Sequence, residues 1–335
     1  MTIQARIDRL KSGAANVGFL FNPLGGQARK RKTAILRILN TMPNAIVCTA
    51  TDALTFKSSI DALITRHPDL LVIIAGDGTT QAVLSHLFAT LPPAQWPVLM
   101  VVPGGTTNMT SLDLGIHGKP EQVLCRLRDY LLSPSSAPNL VQCPALCIEQ
   151  TGITPIYGMF FAVGLVARGV KFSRSSVKQL GITGGIFTSL IMLRSLIGML
   201  VGMMLGRPHS NWAPVTLSMT EANGRNHQGT YLFALVSALD CLLLNMRPYW
   251  GQEPAPLHVT LVDRHRNRLW RSLWPLLSGG GQILKEEDGY YSHNTHALTL
   301  LMDDEYIVDG ELHRSVNAQE PLRITATDPI TFLVL

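Results

Sequence analysis

Residues 70–80 read Leu-Leu-Val-Ile-Ile-Ala-Gly-Asp-Gly-Thr-Thr, an apolar run that passes directly into a turn of glycine, aspartate and threonine. The same arrangement occurs twice more, where Val17–Phe21 precedes Asn22-Pro-Leu-Gly-Gly26 and Val98–Val102 precedes Pro103-Gly-Gly-Thr-Thr-Asn108. Apolar runs without polar alternation are typical of parallel strands covered by helices on both faces. The sequence therefore predicts a doubly wound α/β sheet, with three glycine loops at the carboxyl ends of its strands, where such sheets bind ligands.

Two domains are expected from the length of 335 residues, because each would be large enough to bury its own core. A helix is predicted over 121–132, and the turn-rich stretch 133–138 after it marks the domain boundary. Beyond this boundary the pattern changes to short strands separated by glycine, proline and asparagine turns. The predicted strands are 215–219, 231–237, 258–262, 297–302 and 323–326. The second domain is thus predicted to be mainly β.

Charge and composition narrow the classes of partner. The net charge of +5 favours nucleotide phosphates, an acidic membrane surface or nucleic acid. The five cysteines are scattered without a C-x-x-C pair, which is typical of reduced thiols rather than of a disulfide framework or a zinc site. The ten histidines show no H-E-x-x-H or other metal-ligand spacing. The first residues are charged and contain no apolar run of signal-peptide length, so a cytoplasmic location is predicted.

The glycine loops have the composition of a phosphate-binding site. Glycine lets the backbone approach an anion closely and adopt positive φ, so that N–H groups can point at phosphate oxygens. The glycines concerned are Gly25, Gly26, Gly76, Gly78, Gly104 and Gly105, with hydroxyl donors at Thr79, Thr80, Thr106 and Thr107. Asp77, between two glycines, is predicted to face Mg²⁺ or a reacting hydroxyl. A single loop of this kind is as often an ordinary βα turn, but three at strand ends favour a nucleotide site.

The loops and one downstream motif resemble the ordered motif set of the diacylglycerol kinase catalytic family, which includes bacterial lipid kinases and sphingosine kinases. The motifs are Asn22-Pro23, Gly76-Asp-Gly-Thr79, Pro103-Gly-Gly-Thr-Thr-Asn108 and Val308-Asp-Gly-Glu311. The resemblance implies an NAD-kinase-like α/β domain followed by a β-sandwich domain. We expect a nucleotide-binding domain at 1–137, rejoined by 320–335. A β-rich lipid-substrate domain at 138–319 would carry an apolar helical insertion near 168–206.

The resemblance also implies ATP and Mg²⁺ as cofactors and assigns roles to single residues. Those that would contact ATP are Asn22, Thr49, Gly76, Asp77, Gly78, Thr79 and Thr106, and the matching motifs add Pro23, Gly25, Gly26, Thr80, Gly105 and Asn108. Asp77 would also be the metal ligand. Glu311 corresponds to the catalytic base, with Asp309 beside it in the same turn, and would accept the proton of a lipid hydroxyl during in-line transfer of the γ-phosphoryl group.

Three functions follow as alternatives. The first is an ATP-dependent lipid kinase acting on a diacylglycerol-like or sphingoid hydroxyl. The second is a catalytically silent relative that binds nucleotide or lipid, because Ala82 and Met109 stand where the family usually has acidic residues. The third is an NAD kinase, which the sequence disfavours since Met109 follows Asn108 where that enzyme usually has a glutamate, and since a soluble substrate has no use for a long apolar segment.

Two segments of the second domain suggest contact with a membrane. Basic residues at helical spacing would form one face, either solvated or against anionic lipid head groups; they are Arg168, Lys171, Arg174 and Lys178. Leu180–Leu205 is long enough to span a bilayer, but Arg194 in its middle makes lipid contact or core packing the favoured alternatives. His313, two residues after Glu311, is interpreted either as a neighbour of the site or, by default, as an ordinary surface histidine.

A second basic cluster accompanies tryptophans and is interpreted as a membrane-interface feature, because no nucleic-acid fold signature is present. It consists of Arg264, Arg266, Arg268 and Arg271, with Trp270 and Trp274. The expected partners are therefore a membrane lipid substrate and an anionic membrane surface bound peripherally, without nucleic acid. A homodimer is left open.

Overall fold

The computed structural model describes residues 1–51, 53–134, 137–180, 214–265, 269–315 and 319–335. The chain divides into two compact units, the first formed by Met1–Cys143 with Asp328–Leu335 and the second by Pro144–Thr327. The sequence placed these divisions at 137 and 319. The divisions differ because strands β5 (Asn139–Cys143) and β17 (Ile330–Val334) pair with each other in the sheet of the first unit.

The first unit is built on a six-stranded sheet with the order β2-β1-β3-β4-β17-β5. Its remaining strands are β1 (Val17–Phe21), β2 (Ala45–Thr49), β3 (Leu70–Ala75) and β4 (Val98–Pro103). The strands β1 to β4 are parallel to their neighbours, whereas β17 is parallel to β4 and antiparallel to β5. Every residue of β1, β3 and β4 is buried, so the α/β prediction from the apolar runs is confirmed.

Seven helices of the described residues belong to the first unit. They are α1 (Ile3–Lys11), α2 (Gly26–Lys30), α3 (Lys32–Leu39), α4 (Ala53–Ile64), α5 (Asp77–Thr90), α6 (Met109–Asp113) and α7 (Pro120–Leu132). The α7 helix confirms the prediction over 121–132. It starts at a proline, whose missing N–H has no helical partner at that position. The side chain of Gln122 accepts a hydrogen bond from the backbone N–H of Lys119 at 3.0 Å, which caps the first turn.

The second unit is mainly β, as predicted. Its strands are β6 (Leu146–Glu149), β7 (Ile156–Gly158), β8 (Phe160–Gly164), β9 (Val215–Glu221), β10 (Asn226–Ser237), β11 (Leu257–Asp263), β12 (Tyr290–Thr295), β13 (Ala297–Met302), β14 (Glu305–Val308), β15 (Glu311–Arg314) and β16 (Leu322–Ala326). Nine of them follow the antiparallel order β15-β14-β8-β10-β9-β13-β16-β6-β7, and β11 joins β10 to β12. The five strands predicted for this unit are all present.

Two helices are described in the second unit, α8 (Leu165–Leu180) and α9 (Leu269–Ser278). In α8, Arg168 pairs with Asp304 at 2.8 Å and Lys171 pairs with Glu305 at 2.7 Å. Two charges of the predicted basic face are thus matched by carboxylates at the start of β14, while the side chains of Arg174 and Lys178 lie outside the described part. Residues 181–213, with most of the apolar segment, also lie outside it. Among the helices that are described, none has the length and apolar character needed to cross a membrane.

Candidate functional site

The three glycine loops meet at one edge of the first sheet. They follow β1, β3 and β4, which are parallel, so their carboxyl ends lie side by side. After β1 the chain continues to β2 on one side, and after β3 it continues to β4 on the other. This reversal is a topological switch point, where open α/β sheets leave a crevice for a ligand.

A side-chain hydrogen bond joins the first and second loops across this switch point. The Nδ2 group of Asn22 donates to the hydroxyl oxygen of Thr79 at 2.9 Å. The Oδ1 atom of the same side chain accepts from the backbone N–H of Leu24 at 2.9 Å, which shapes the first loop. Pro23 is buried beside it, and Thr49 is exposed at the carboxyl end of β2, paired in register with Phe21. Asn22 therefore fixes the position of Thr79 at the crevice.

The glycines serve close contact between the loops. None of the six has a positive φ, so that part of the prediction is wrong. A Cβ atom on Gly105 would lie 2.4 Å from the Cα of Gly76, and one on Gly25 would lie 3.0 Å from the carbonyl oxygen of Gly104. That carbonyl accepts N–H groups from the start of α2 at 2.8 and 3.0 Å. Glycine is required here because neighbouring backbones touch.

Asp77 connects the second loop with the third. It is the first residue of α5 and is only 7 % exposed. Its carboxylate accepts a short hydrogen bond from the hydroxyl of Thr107 and a hydrogen bond of 3.3 Å from the backbone N–H of Thr110. Burial raises the pKa of Asp77, while these hydrogen bonds act in the opposite direction. The Asp77 carboxylate thus holds the third loop and the start of α6 against the first turn of α5.

The third loop is closed by its last residue. Asn108 has a left-handed backbone (φ 51°), which asparagine tolerates better than most residues, and its Oδ1 atom accepts from the N–H of Gly105 at 2.7 Å. Thr106 at the tip of this loop is exposed. Thr80 is buried, and its hydroxyl donates to the carbonyl of Gly76 at 3.2 Å. The loop residues predicted as a nucleotide site are thus brought together at one sheet edge, with Thr49 at the end of the neighbouring strand.

The other predicted site residues belong to the second unit. Asp309 and Gly310 both have positive φ and form the two-residue turn between β14 and β15, for which Asp-Gly is a preferred sequence. Asp309 is buried, and its carboxylate accepts the backbone N–H groups of Met159 and Phe160 at 2.9–3.1 Å. Asp309 therefore fastens the turn to the start of β8.

Glu311 is the first residue of β15 and is half-buried. His313 follows on the same strand and is also half-buried, with its ring stacked on Tyr306 at 5.5 Å between centroids. Burial lowers the pKa of His313, while the negative charge of Glu311 acts to raise it. The prediction of an ordinary surface histidine is wrong, because the ring packs on an aromatic side chain.

Comparison with protein families identifies the part of the chain that carries the glycine loops. Residues 16–136 match the family described as diacylglycerol kinase catalytic domain. This part of the chain is therefore similar to the diacylglycerol kinase catalytic domain. All three glycine loops lie inside the matched residues of the diacylglycerol kinase catalytic domain, and Val308–Glu311 lies outside them. The assignment of Glu311 as a base therefore depends on the resemblance of its motif.

Solved structures with a similar fold align with most of the chain. A provisionally assigned diacylglycerol kinase from Bacillus anthracis str. Sterne is 16 % identical with a TM-score of 0.66, the alignment covering 96 % of this chain and 95 % of that one. A second structure, of a diacylglycerol kinase from the same organism, is 14 % identical with a TM-score of 0.60 and coverages of 96 % and 97 %. At these identities the likeness extends to the fold alone. No curated protein matches the sequence.

Proposed function

We propose that this chain transfers the γ-phosphoryl group of ATP to a hydroxyl group of a membrane lipid, with a diacylglycerol-like or sphingoid acceptor. The observation that carries the proposal is the junction of three glycine loops at the topological switch point of a sheet, within residues that match a diacylglycerol kinase catalytic domain. Such a crevice offers backbone N–H groups and a helix N-terminus to an anion. Phosphoryl transfer depends mainly on this kind of positioning.

The second loop is proposed to bind the phosphates of ATP together with Mg²⁺. The N-terminus of α5 carries positive partial charge, but Asp77 in its first turn is an acidic residue that would repel a phosphate. A divalent cation between the carboxylate and the phosphates removes this conflict. A buried carboxylate is a ligand that suits Mg²⁺, so the residues present fit the cation. Bound Mg²⁺ would neutralise charge on the transferring phosphoryl group.

Glu311 is proposed as the general base that accepts the proton of the lipid hydroxyl. The contacts of Asp309 support this choice within the motif. Its carboxylate is buried and accepts hydrogen bonds from the backbone N–H groups of Met159 and Phe160, so it is already engaged in holding the turn. Glu311 is the half-buried carboxylate of the same turn. We therefore assign proton transfer to Glu311 and a positioning role to Asp309.

Peripheral association with an anionic membrane, from a cytoplasmic location, is part of the proposal. Among the exposed large apolar side chains described in the second unit, Trp274 at 78 % and Ile283 at 72 % are the most exposed. Tryptophan is favoured at membrane interfaces because its ring has an apolar body and a polar N–H group. The net positive charge of the chain supports attraction to anionic lipid.

The proposal is tested by incubating purified protein with labelled ATP, Mg²⁺ and vesicles that contain diacylglycerol, phosphatidylglycerol, a sphingoid base or ceramide. We expect one lipid class to become labelled. Glu311→Gln should lower kcat by about 10²–10⁴-fold with little change in ATP affinity, the usual scale for loss of a general base. Glu287→Gln, an exposed position in the same unit, is the matched control. Nucleotide binding without any labelled lipid would refute the proposed reaction.

A catalytically silent relative is the second candidate, favoured by Ala82 in α5 and Met109 at the start of α6. At both positions the diacylglycerol kinase catalytic family, which the motifs resemble, usually has an acidic residue. This candidate predicts nucleotide binding with little turnover, and a large gain of turnover in Ala82→Glu with Met109→Asp. Robust activity of the unaltered chain would exclude it. Formation of NADP faster than lipid phosphorylation would instead favour an NAD kinase.

A further inference from the structure

Two histidines and a glutamate meet in the second unit. Glu221 ends β9, His227 is the second residue of β10, and His293 lies in β12. One potential ligand atom from each residue lies within 4.8 Å of the other two. His227 and His293 are 66 positions apart in the sequence, and their rings stack with centroids separated by 5.4 Å. The fold therefore creates a donor set that has no spacing signature in the sequence.

Three polar atoms of this cluster are buried without a hydrogen-bond partner. Glu221 is 2 % exposed and His293 is 4 % exposed. The Oε1 atom of Glu221 and the Nε2 atoms of His227 and His293 are inaccessible to solvent and have no hydrogen-bond partner in the structure. Buried polar atoms are nearly always paired, and a buried carboxylate usually has a cation or several donors. Three unpaired atoms at one place indicate a shared ligand.

We propose that Glu221, His227 and His293 bind one divalent transition-metal ion, with zinc as the ion that fits best. Imidazole nitrogen and carboxylate oxygen are the ligands of many zinc sites. Two ligands bound tetrahedrally about 2.0–2.1 Å from zinc lie about 3.4 Å from each other. The Oε1 atom of Glu221 and the Nε2 atom of His227 are 3.5 Å apart, which matches this separation.

The surroundings supply a fourth ligand and a partner for one imidazole. The Oε1 atom of Glu286 lies 3.5 Å from Nε2 of His293, so this mostly exposed carboxylate can complete the coordination. When Nε2 of His293 binds the metal, its Nδ1 atom carries the proton and needs an acceptor. The Oε1 atom of Glu253 is 3.6 Å from Nδ1. Glu253 thus provides the carboxylate that commonly orients a metal-bound histidine.

Arg225 opposes the metal-bound form. Its Nη1 atom lies 2.7 Å from Nδ1 of His293 and 2.5 Å from Oε1 of Glu253. A guanidinium cannot accept a proton, so its contact with Nδ1 requires that nitrogen to be unprotonated. Metal binding at Nε2 therefore shifts Arg225 onto Glu253 alone. The ion would fasten the turn between β9 and β10 to β12, a structural role separate from the proposed kinase reaction.

The test uses the full chain without an affinity tag, freed of metal by a chelator. Titration with zinc sulfate should give one bound equivalent, and thermal unfolding should shift to higher temperature as zinc is added. X-ray absorption should show three or four nitrogen and oxygen neighbours at about 2.0–2.1 Å, with imidazole scattering. A sulfur shell, or no zinc bound by the unaltered chain, would overturn the proposal. None of these measurements depends on kinase activity.

Variants identify the ligands. Glu221→Gln and His227→Gln should each weaken zinc binding by at least about 100-fold, beyond the 10–100-fold typical of partners that only orient a ligand. His265→Gln, an exposed histidine of the same unit, should bind like the unaltered chain. Arg225→Gln should bind zinc more tightly, because the opposing guanidinium is gone. Equal affinity in all variants, or weaker binding in Arg225→Gln, would refute the assigned donor set.

Discussion

Replacement of Gly105 by alanine tests whether the glycine loops are held by contact between their backbones. The added Cβ atom would lie 2.4 Å from the Cα of Gly76 and 3.0 Å from Oδ1 of Asn108. The first neighbour is backbone, so no flexible side chain can move aside. Either the second and third loops separate or the bond that closes the third loop is distorted, and both changes occur where the nucleotide is proposed to bind.

The size of the effect follows from two opposing terms. Overpacking of a close-packed site costs about 1–3 kcal/mol. Replacing glycine by alanine also reduces the backbone freedom of the unfolded chain, which stabilises the folded state by about 0.4–1 kcal/mol. The middle values of these two ranges differ by about 1.3 kcal/mol, so we expect a net loss of unfolding free energy of about 1–2 kcal/mol. For a unit of roughly this size, each kcal/mol lowers Tm by about 2–4 °C, so Gly105→Ala should lower it by about 2–8 °C.

The assay is differential scanning calorimetry together with ATP titration. The loss of Tm should follow the distance from the added Cβ atom to its nearest neighbour. It should be largest for Gly105→Ala, smaller for Gly76→Ala with its neighbour at 3.0 Å, and smallest for Gly229→Ala in β10 with its neighbour at 3.5 Å. Nucleotide affinity should fall for the first two and stay constant for the third. Unchanged Tm and unchanged affinity in Gly105→Ala would refute the contact argument.

Three further predictions concern single contacts. A double-mutant cycle of Asn22→Ala and Thr79→Val should give a coupling of about 0.5–1.5 kcal/mol in urea unfolding, the usual worth of one hydrogen bond, and zero coupling would contradict it. Burial raises the pKa of Asp77 above its ordinary 3.8, so the native chain retains a proton that the unfolded chain has lost. Its unfolding free energy should therefore fall as pH rises from about 3.8 through the raised value, and Asp77→Asn should lack this fall in urea unfolding measured across acidic and neutral pH. Asp309→Ala should lose about 2–4 kcal/mol in denaturant unfolding, because two buried N–H groups lose a charged acceptor. Normal stability with abolished turnover would instead make Asp309 a catalytic group.

The α/β unit was predictable because its signal is local. Apolar runs such as Leu70–Ala75 identify buried parallel strands by themselves, and the glycines that follow them identify the loops. What local pattern could not supply is the reason for those glycines. The sequence predicted positive φ for these glycines. In the structure a Cβ atom added to Gly25, Gly76 or Gly105 would instead lie 2.4–3.0 Å from the backbone of another loop, so glycine is needed for close approach. Approach between loops distant in sequence depends on tertiary structure, so no single loop reveals it.

In the second unit, prediction from local sequence pattern is limited further. Strands with clear composition, such as Ala297–Met302, were predicted, while short strands such as Glu305–Val308 and Glu311–Arg314 were not. Four-residue strands carry too few positions for a period of two to be evident. The cluster of Glu221 with His227 and His293 was missed for a related reason. Antiparallel pairing brings these residues together from three strands, so their sequence spacing carries no metal signature.

Burial divides the acidic residues of the kinase-like motifs into two groups with different chemistry. Asp77 and Asp309 are both buried, and each is held by backbone N–H groups of another segment. A carboxylate in that position stabilises a turn, and its burial and hydrogen bonds within the loop keep it from reaching a substrate hydroxyl. Glu311 is half-buried at the start of a strand. A base must reach the hydroxyl that it deprotonates, so exposure favours Glu311 for proton transfer. On this argument the two aspartates position the loops, and loss of either should lower stability together with turnover, whereas loss of Glu311 should lower turnover alone.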